Sequence, residues 1–299
     1  DNYGYALRWT NSQDMGFSSM KNQQTVIGLD ASDAIGRDDI GLVIEDITNG
    51  GVVAAGDFNN LSIFDFSKWL ADFLIDNPKA TLVPEMRSSA RAIVDFVISR
   101  LVQAGQDPFK RIYNNVVQNK LEKPTDFDAI RYYGRESSII MKYKREFGFT
   151  TAGSGEMSRS ILYGRNLTSC ANHCGRMAHD SRLINQILGL VIRNGRLDHA
   201  SGGHDDLVVA WLLGHWFLTS AKNIDYYGIQ SSSVLRYVDS GKEFKTPEER
   251  YKTFMNDRIR QELEKLSLQM RNESDDILYE RLENKARMLI RSLRQEDMK

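Results

Sequence analysis

The sequence TVIGLD, at residues 25–30, is a short apolar run that ends on an acidic residue, as is typical of a buried central strand. Two more apolar runs follow at residues 40–45 and 52–56. The turn between them, residues 48–51, contains Asn-Gly, the strongest short signal for a β-hairpin. The three runs therefore predict an antiparallel meander of three strands.

A helical crossover connects this meander to a fourth strand. Residues 64–75 place large apolar side chains on one helical face, and residues 80–85, ATLVPE, again form an apolar run that ends on an acid. A strand, a helix and a further strand indicate a parallel pair with a right-handed connection. Asp30 and Glu85 are therefore expected at adjacent strand ends.

These elements predict an α/β fold, with a mixed sheet flanked by helices and a C-terminal helical appendage. Residues 1–22 lack periodicity and are expected to be a tail or linker remnant. The main domain is predicted to span residues 23–222, with a fifth strand near 111–117. Residues 223–299 form a predicted extension made mostly of two amphipathic helices.

The composition excludes several classes of protein. A hydrophobic content of 41% with 26% charged residues supports a packed core, and no apolar run is long enough to span a membrane. Two cysteines are too few for a disulfide framework. We therefore expect a soluble intracellular protein and, because the sequence does not begin with methionine, a piece of a longer polypeptide.

Opposite charges are segregated along the chain. Residues 21–80 carry a net charge of −6 and residues 131–200 a net charge of +6. This pattern fits an acidic metal pocket beside a basic nucleic-acid track, and it equally fits two ordinary solvated surfaces.

Three acids are predicted to meet at one edge of the sheet. Asp30 and Glu85 end strands, and Asp205 opens a helix after a Gly-Gly-His approach. Clustered carboxylates repel one another, and Mg²⁺ or Mn²⁺ removes that repulsion by accepting oxygen ligands. Two such ions can drive phosphodiester hydrolysis. Alternatively, each acid could simply cap a helix or begin a turn.

Several segments occur in a fixed order along the chain: Asp30, Gly-Arg-Asp at 36–38, Glu85, Phe-Gly-Phe-Thr-Thr at 147–151, Arg159, and His-Asp-Asp-Leu-Val-Val-Ala at 204–210. This order resembles the C-terminal nuclease domain of tailed-bacteriophage large terminase subunits, over roughly residues 23–220. The resemblance implies a ribonuclease-H-like fold and two-metal cleavage of double-stranded DNA during genome packaging.

The resemblance also assigns roles to individual residues. Asp30, Glu85 and Asp205 match the metal-binding acids, and Asp206 and Asp38 match secondary acids. The implied partners are double-stranded DNA, an N-terminal ATPase domain of the same polypeptide, the portal ring and the small terminase subunit, in the cytoplasm of the host cell. No phosphate-binding loop occurs in this chain, so it is expected to be at most the nuclease half.

Basic and histidine side chains offer further candidate contacts. His204 could position a water or a phosphate, or cap the helix. Cys170 and Cys174, with His179 nearby, could bind zinc, but their spacing fits no common site and two buried thiols on a helix are the simpler expectation. Five basic residues could contact phosphates along the DNA backbone, or could instead form a solvated basic face. They are Lys142, Lys144, Arg145, Arg159 and Arg165.

Two other functions are compatible with these residues. A Holliday-junction resolvase or transposase-type nuclease could use the same fold. A non-catalytic scaffold that binds DNA or a portal ring would tolerate loss of Asp30 or Glu85, and both acids are present.

Overall fold

The computed structural model describes residues 7–31, 39–59, 62–87, 89–120, 136–151, 161–193, 196–200, 203–237, 247–272 and 275–297. Asp38 and Arg159, both named above, lie outside these residues. The chain divides into two compact units, Asp1–Ser240 and Gly241–Lys299.

The first unit is built on a five-stranded sheet with the order β1-β4-β3-β2-β5. Its strands are β1 (Arg8–Trp9), β2 (Thr25–Asp30), β3 (Ile40–Asp46), β4 (Val52–Phe58) and β5 (Ala80–Glu85). β2 and β5 run parallel, and the other neighbouring pairs run antiparallel. The predicted meander and the predicted parallel pair are confirmed, and together they form a mixed sheet.

Helices make up most of the remaining described residues. Those of the first unit are α1 (Gln13–Asn22), α2 (Ile63–Asp76), α3 (Ala90–Gln103), α4 (Pro108–Arg111), α5 (Glu136–Tyr143), α6 (Leu167–Cys174), α7 (Ser181–Leu188) and α8 (Asp206–Ser220). A two-stranded sheet, β6 (Leu190–Arg193) with β7 (Arg196–His199), was not predicted. The second unit contains α9 (Pro247–Asn272) and α10 (Asp276–Asp297), joined by an ion pair between Lys285 and Glu262 at 2.9 Å. None of the described helices combines the length and the apolar character needed to cross a membrane.

Helix α8 packs directly on the centre of the sheet. A Cβ atom on Gly28 would lie 1.8 Å from the carbonyl oxygen of Ala210, so only glycine permits this approach. Ile27 and Leu29 alternate with Gly28 and face the other side of the sheet, where they are also fully buried. The sheet is therefore covered on both faces.

Residues 7–22, which belong to the predicted tail or linker remnant, pack on the main sheet. β1 pairs with β4, and the Arg8 guanidinium contacts Asp57 and lies 2.6 Å from Asp180. Met20 of α1 is fully buried. A two-residue strand and a short helix of mixed composition are too brief to produce a periodic pattern, and the long-range ion pairs leave no local signal.

The predicted strand at residues 111–117 is also absent. Ile112 forms an isolated parallel bridge with Leu82, between the short helix α4 and a π-helical turn at Val116–Lys120. Arg111 is buried and donates hydrogen bonds to the carbonyl oxygens of Leu74, Asn77 and Ala80. Burial lowers its pKa to about 10. The side chain thus ties the segment to the end of α2 rather than to a strand neighbour.

The first unit continues beyond the boundary predicted at residue 222. Ile224, Tyr226 and Tyr227 are buried. The hydroxyl of Tyr227 accepts a hydrogen bond from the backbone N–H of Asn114 at 3.1 Å. These contacts join the segment after α8 to the main domain.

Candidate metal centre

Asp30 and Glu85 end neighbouring parallel strands and are partners in the same register. Asp30 is also paired with Gly41, near the start of β3. Paired positions project to the same face of a sheet, and Asp30 lies two residues beyond Gly28, which faces α8. The two carboxylates therefore share the face that α8 covers, at the edge that the sequence predicted for them.

The carboxylate of Glu85 is buried and already interacts with two other side chains. Arg87 Nε lies 2.9 Å from Glu85 Oε1, and the Thr151 hydroxyl donates a hydrogen bond to the same oxygen. The side chain of Arg87 is 44% exposed, whereas that of Glu85 is 3% exposed. The exposed guanidinium of Arg87 thus neutralises the buried carboxylate of Glu85. The sequence did not predict this ion pair.

The first turn of α8 begins next to Asp30. A Cβ atom on Gly41 would lie 2.4 Å from the carbonyl carbon of Asp206, the first residue of the helix. The N-terminus of a helix favours nearby negative charge. The close approach therefore places the positive end of the helix dipole at the sheet edge that carries Asp30 and Glu85, which we call the acidic edge.

Asp205 is held by a buried tyrosine. The Tyr163 hydroxyl donates a hydrogen bond to Asp205 Oδ2, and both residues are buried. Tyr163 belongs to a π-helical turn at Leu162–Asn166 that leads into α6. This contact fixes the carboxylate orientation, and its separation of 42 residues explains why no local pattern predicted it.

A second acidic group lies at the same end of α8. Ligand atoms of Asp39, His204 and Asp206 all lie within 4.8 Å of one another, with His204 Nδ1 3.5 Å from Asp206 Oδ2. Among the described residues, Asp39 Oδ1 is buried without a hydrogen-bond partner. Carboxylate oxygens with one imidazole suit a divalent cation, which would satisfy that oxygen.

The sequence indicates Asp38 rather than its neighbour Asp39. The feature that could have identified Asp39 is its position one residue before β3, at the sheet edge that carries Asp30.

Within the described part of the chain, Asp30, Glu85 and Asp205 do not form a further group of three ligand atoms within 4.8 Å. Their joint role as ligands remains a prediction.

The candidate phosphate-binding residues differ in their surroundings. Lys144 Nζ lies 2.8 Å from Asp95 Oδ2, in an ion pair. Lys142 is exposed, with its ammonium group 5.2 Å from the centroid of the Tyr143 ring. Arg145 and Arg165 are exposed as well. Lys142 and Arg145 are therefore better placed than Lys144 to meet a phosphate.

A separate polar cluster is buried between α6, α8 and the sheet. Cys170 and Cys174 of α6 are buried and not joined by a disulfide, and His215 of α8 lies beside them. Hydrogen bonding with Cys170 and His215 lowers the pKa of Cys174 to about 6 against the effect of burial. Burial, with a smaller contribution from Cys174, raises the pKa of the Glu45 carboxyl well above its ordinary value.

The fold and the acidic edge define an α/β protein with a mixed sheet and a candidate divalent-metal centre. The structure is similar to the large terminase nuclease from thermophilic phage G20c, with 14% identity, a TM-score of 0.33, and coverage of 65% of this chain and 82% of that one. For a magnesium-bound form of that nuclease the identity is 12%, the TM-score 0.34, and the coverage 65% and 81%.

The large terminase nuclease domain of Thermus phage P74-26 is similar as well. Its identity is 13%, its TM-score 0.36, and the coverage is 68% of this chain and 83% of that domain. The G20c nuclease is also known with bound zinc and with bound cobalt. No model of a protein family matches the sequence, and the search of curated proteins found no match.

Proposed function

We propose that this chain is a metal-dependent endonuclease that cleaves double-stranded DNA, the concatemeric genome of a virus, during packaging. The observation that carries the proposal is the pairing of Asp30 with Glu85 on the sheet face beneath the first turn of α8. That turn begins with Asp206 and directly follows Asp205, two acids that lie much later in the sequence than Asp30 and Glu85. Convergence of acids from three separate elements on one edge is typical of a metal site, and a divalent cation would offset their mutual repulsion.

The proposed ligands of the metal are Asp30, Glu85 and Asp205. Asp206 offers a second set of donors together with Asp39 and His204. When bound, Mg²⁺ or Mn²⁺ would activate a water molecule and neutralise charge on a phosphodiester, and two ions per site are expected.

Other side chains have supporting roles in this proposal. Tyr163 holds Asp205 in one orientation through its hydroxyl. Once a metal ion neutralises Glu85, the exposed side chain of Arg87 can leave Glu85 and bind a DNA phosphate instead. His204, whose side chain is 41% exposed, can orient a water at the mouth of the acidic edge.

The wider setting follows from the same proposal. The chain would act as the nuclease half of a packaging motor, joined to an N-terminal ATPase domain and working with a portal ring and a small terminase subunit. Its place of action would be the cytoplasm of the host cell. These partners are proposed on the resemblance of the sequence segments described above.

Plasmid DNA is expected to be nicked and linearised with Mg²⁺ or Mn²⁺ and to remain intact with EDTA. Ca²⁺ should support little cleavage, because its looser coordination positions the water poorly. Agarose gels of supercoiled plasmid measure the outcome, and a four-way junction is the comparison substrate. Cleavage in EDTA would overturn the metal dependence, and cleavage confined to the junction would favour a resolvase.

Binding to linear duplex should depend steeply on salt. Replacing Lys142 and Arg145 together by glutamine should reduce the slope of log K against log salt by roughly 0.9 for each phosphate that the variant no longer neutralises. Lys144→Gln is the matched control and should reduce the slope less, because Asp95 already pairs with Lys144. Fluorescence anisotropy at several salt concentrations measures the slope. An unchanged slope in the double variant would place the DNA path elsewhere.

A further inference from the structure

A second cluster of metal-ligating side chains lies away from the acidic edge, enclosed between α6, α8 and the sheet. Ligand atoms of Cys170, Cys174 and His215 all lie within 4.8 Å of one another. The three residues are fully or almost fully buried, with exposures of 0%, 1% and 0%. The proposed nuclease reaction uses none of them.

We propose that Cys170, Cys174 and His215 bind a structural zinc ion, and that the carboxylate of Glu45, whose oxygens do not lie within 4.8 Å of all three donor atoms, moves in as the fourth ligand. Two thiolates, an imidazole and a carboxylate are donors that zinc accepts in a closed tetrahedral site. The site is distinct from the oxygen-rich edge formed by Asp30 and Glu85.

The distances between the donor atoms fit a tetrahedron. The Sγ atoms of Cys170 and Cys174 are 3.5 Å apart, and Cys174 Sγ is 3.7 Å from His215 Nδ1. Zinc bonds of about 2.3 Å to sulfur and about 2.0–2.1 Å to nitrogen place tetrahedral donors about 3.8 and 3.6 Å apart, respectively. The three donors therefore need little movement to enclose an ion.

The orientation of His215 supports the same assignment. Its Nε2 lies 3.1 Å from the hydroxyl of Ser169, one turn before His173 on α6. When Nε2–H donates to that hydroxyl, the lone pair of Nδ1 faces the thiols. A second hydrogen bond of this kind usually fixes the tautomer of a metal-ligating histidine.

Glu45 supplies an independent indication that a cation belongs here. Its side chain is fully buried, and neither carboxylate oxygen has a hydrogen-bond partner among the described residues. Glu45 interacts electrostatically with both thiols. It also lies close to the backbone beside His215, because a Cβ atom on Gly214 would be 2.0 Å from Glu45 Oε1. A buried acid without a hydrogen-bond partner is costly in either protonation state, and a bound divalent ion would remove that cost.

A metal-free account of the cluster explains less. The Cys174 thiol can donate to the carbonyl oxygen of Cys170 at 3.2 Å, which is an ordinary contact within a helix. The hydrogen bond between Cys174 and His215 accounts for the position of the imidazole, but it leaves both Glu45 oxygens without a hydrogen-bond partner among the described residues. A zinc ion would bind the three grouped donors and would give Glu45 a partner after a movement of its side chain.

Cobalt spectroscopy on the full chain tests the proposal. The protein is purified without chelator under reducing conditions, its zinc content is measured, and the metal is exchanged for Co²⁺. We expect a thiolate-to-cobalt charge-transfer band with tetrahedral d–d bands, both removed by Zn²⁺. Cys170 and Cys174 are the only cysteines of the sequence, so a thiolate band can arise only from them.

Variants assign the ligands and separate this site from the acidic edge. His215→Gln should weaken Co²⁺ binding at least about tenfold, as should Glu45→Gln. His173→Ala removes an exposed histidine of the same helix as the thiols and should leave the bands unchanged, as should Asp30→Asn. An unchanged affinity in Glu45→Gln would remove Glu45 from the ligand set.

The wild-type measurement decides the proposal even where a variant fails to fold. Folded wild-type protein that contains no zinc and gives no thiolate band with excess Co²⁺ would overturn it. Loss of cleavage in Asp30→Asn with the cobalt bands intact would show that the two sites are independent.

Discussion

The Asp30→Asn variant is expected to fold and bind DNA while cleaving it roughly 10³-fold more slowly than the wild type. Metal ions stabilise developing charge in hydrolysis by several kcal/mol, and each 1.36 kcal/mol is a factor of ten in rate. Asp30 ends β2, which lies between β3 and β5, and it is paired with Gly41 and Glu85, so its carboxylate is the proposed shared ligand. Initial rates of plasmid nicking in Mn²⁺ measure the decrease.

Thermal melting distinguishes a metal ligand from a structural acid. In EDTA, Asp30→Asn should melt at the wild-type temperature or higher, because it removes one of two neighbouring carboxylates at nearly constant volume. Mn²⁺ should raise the melting temperature of the wild type only, since an ion at 100 times its Kd adds about 2.7 kcal/mol to the folded state. A variant that melts lower in EDTA and still gains stability from Mn²⁺ would show that Asp30 is structural.

Asp72→Asn is the matched control for this substitution. Asp72 lies on α2 in a partly exposed ion pair with Arg100, at 2.7 Å. Its replacement should leave cleavage within about twofold, because surface pairs contribute only about 0–1 kcal/mol. If Asp30→Asn retained cleavage at a similar level, the group Asp39, His204 and Asp206 would become the main candidate.

The Gly28→Ala variant should lose about 2–3 kcal/mol of unfolding free energy and most of its cleavage activity. The added methyl group would lie 1.8 Å from the Ala210 carbonyl oxygen, and a helix backbone cannot yield as a flexible side chain can. Displacement of α8 would also move Asp205 and Asp206 at its start. Denaturant unfolding followed by tryptophan fluorescence measures the first unit alone, because all four tryptophans precede residue 240.

Gly164→Ala is the comparison for this effect. A Cβ on Gly164 would meet no atom within 4 Å, and its backbone does not require a positive φ. Alanine there should be neutral or stabilise the protein by up to about 1 kcal/mol. Equal stability of the Gly28→Ala and Gly164→Ala proteins would contradict the packing of α8 against β2.

The sequence predicted the parts of the fold that have a local signature. The apolar run that ends at Asp30, the Asn-Gly turn and the helical crossover indicated the meander and the parallel β2–β5 pair, with Asp30 and Glu85 in register. Strand patterns alternate with a period of two, and hairpin turns have strong residue preferences, so such elements can be inferred from a few residues.

Features held together by distant side chains could not be predicted in this way. Tyr163 contacts Asp205 and Thr151 contacts Glu85 across 42 and 66 residues of sequence. Arg8 ties β1 to the sheet through Asp57, far along the chain. The cysteine pair of α6 matched no known spacing because its third neighbour, His215, belongs to another helix.

The packing of α8 on β2 also determines when the acidic edge can form during synthesis of the protein. Gly28 leaves the ribosome early, whereas Ala210 emerges after most of the first unit has been made. Contacts between such distant segments form late and slow the folding of a domain. A growing chain therefore holds Asp30 and Glu85 without Asp205, and the proposed nuclease stays inactive until α8 has emerged and packed on the sheet.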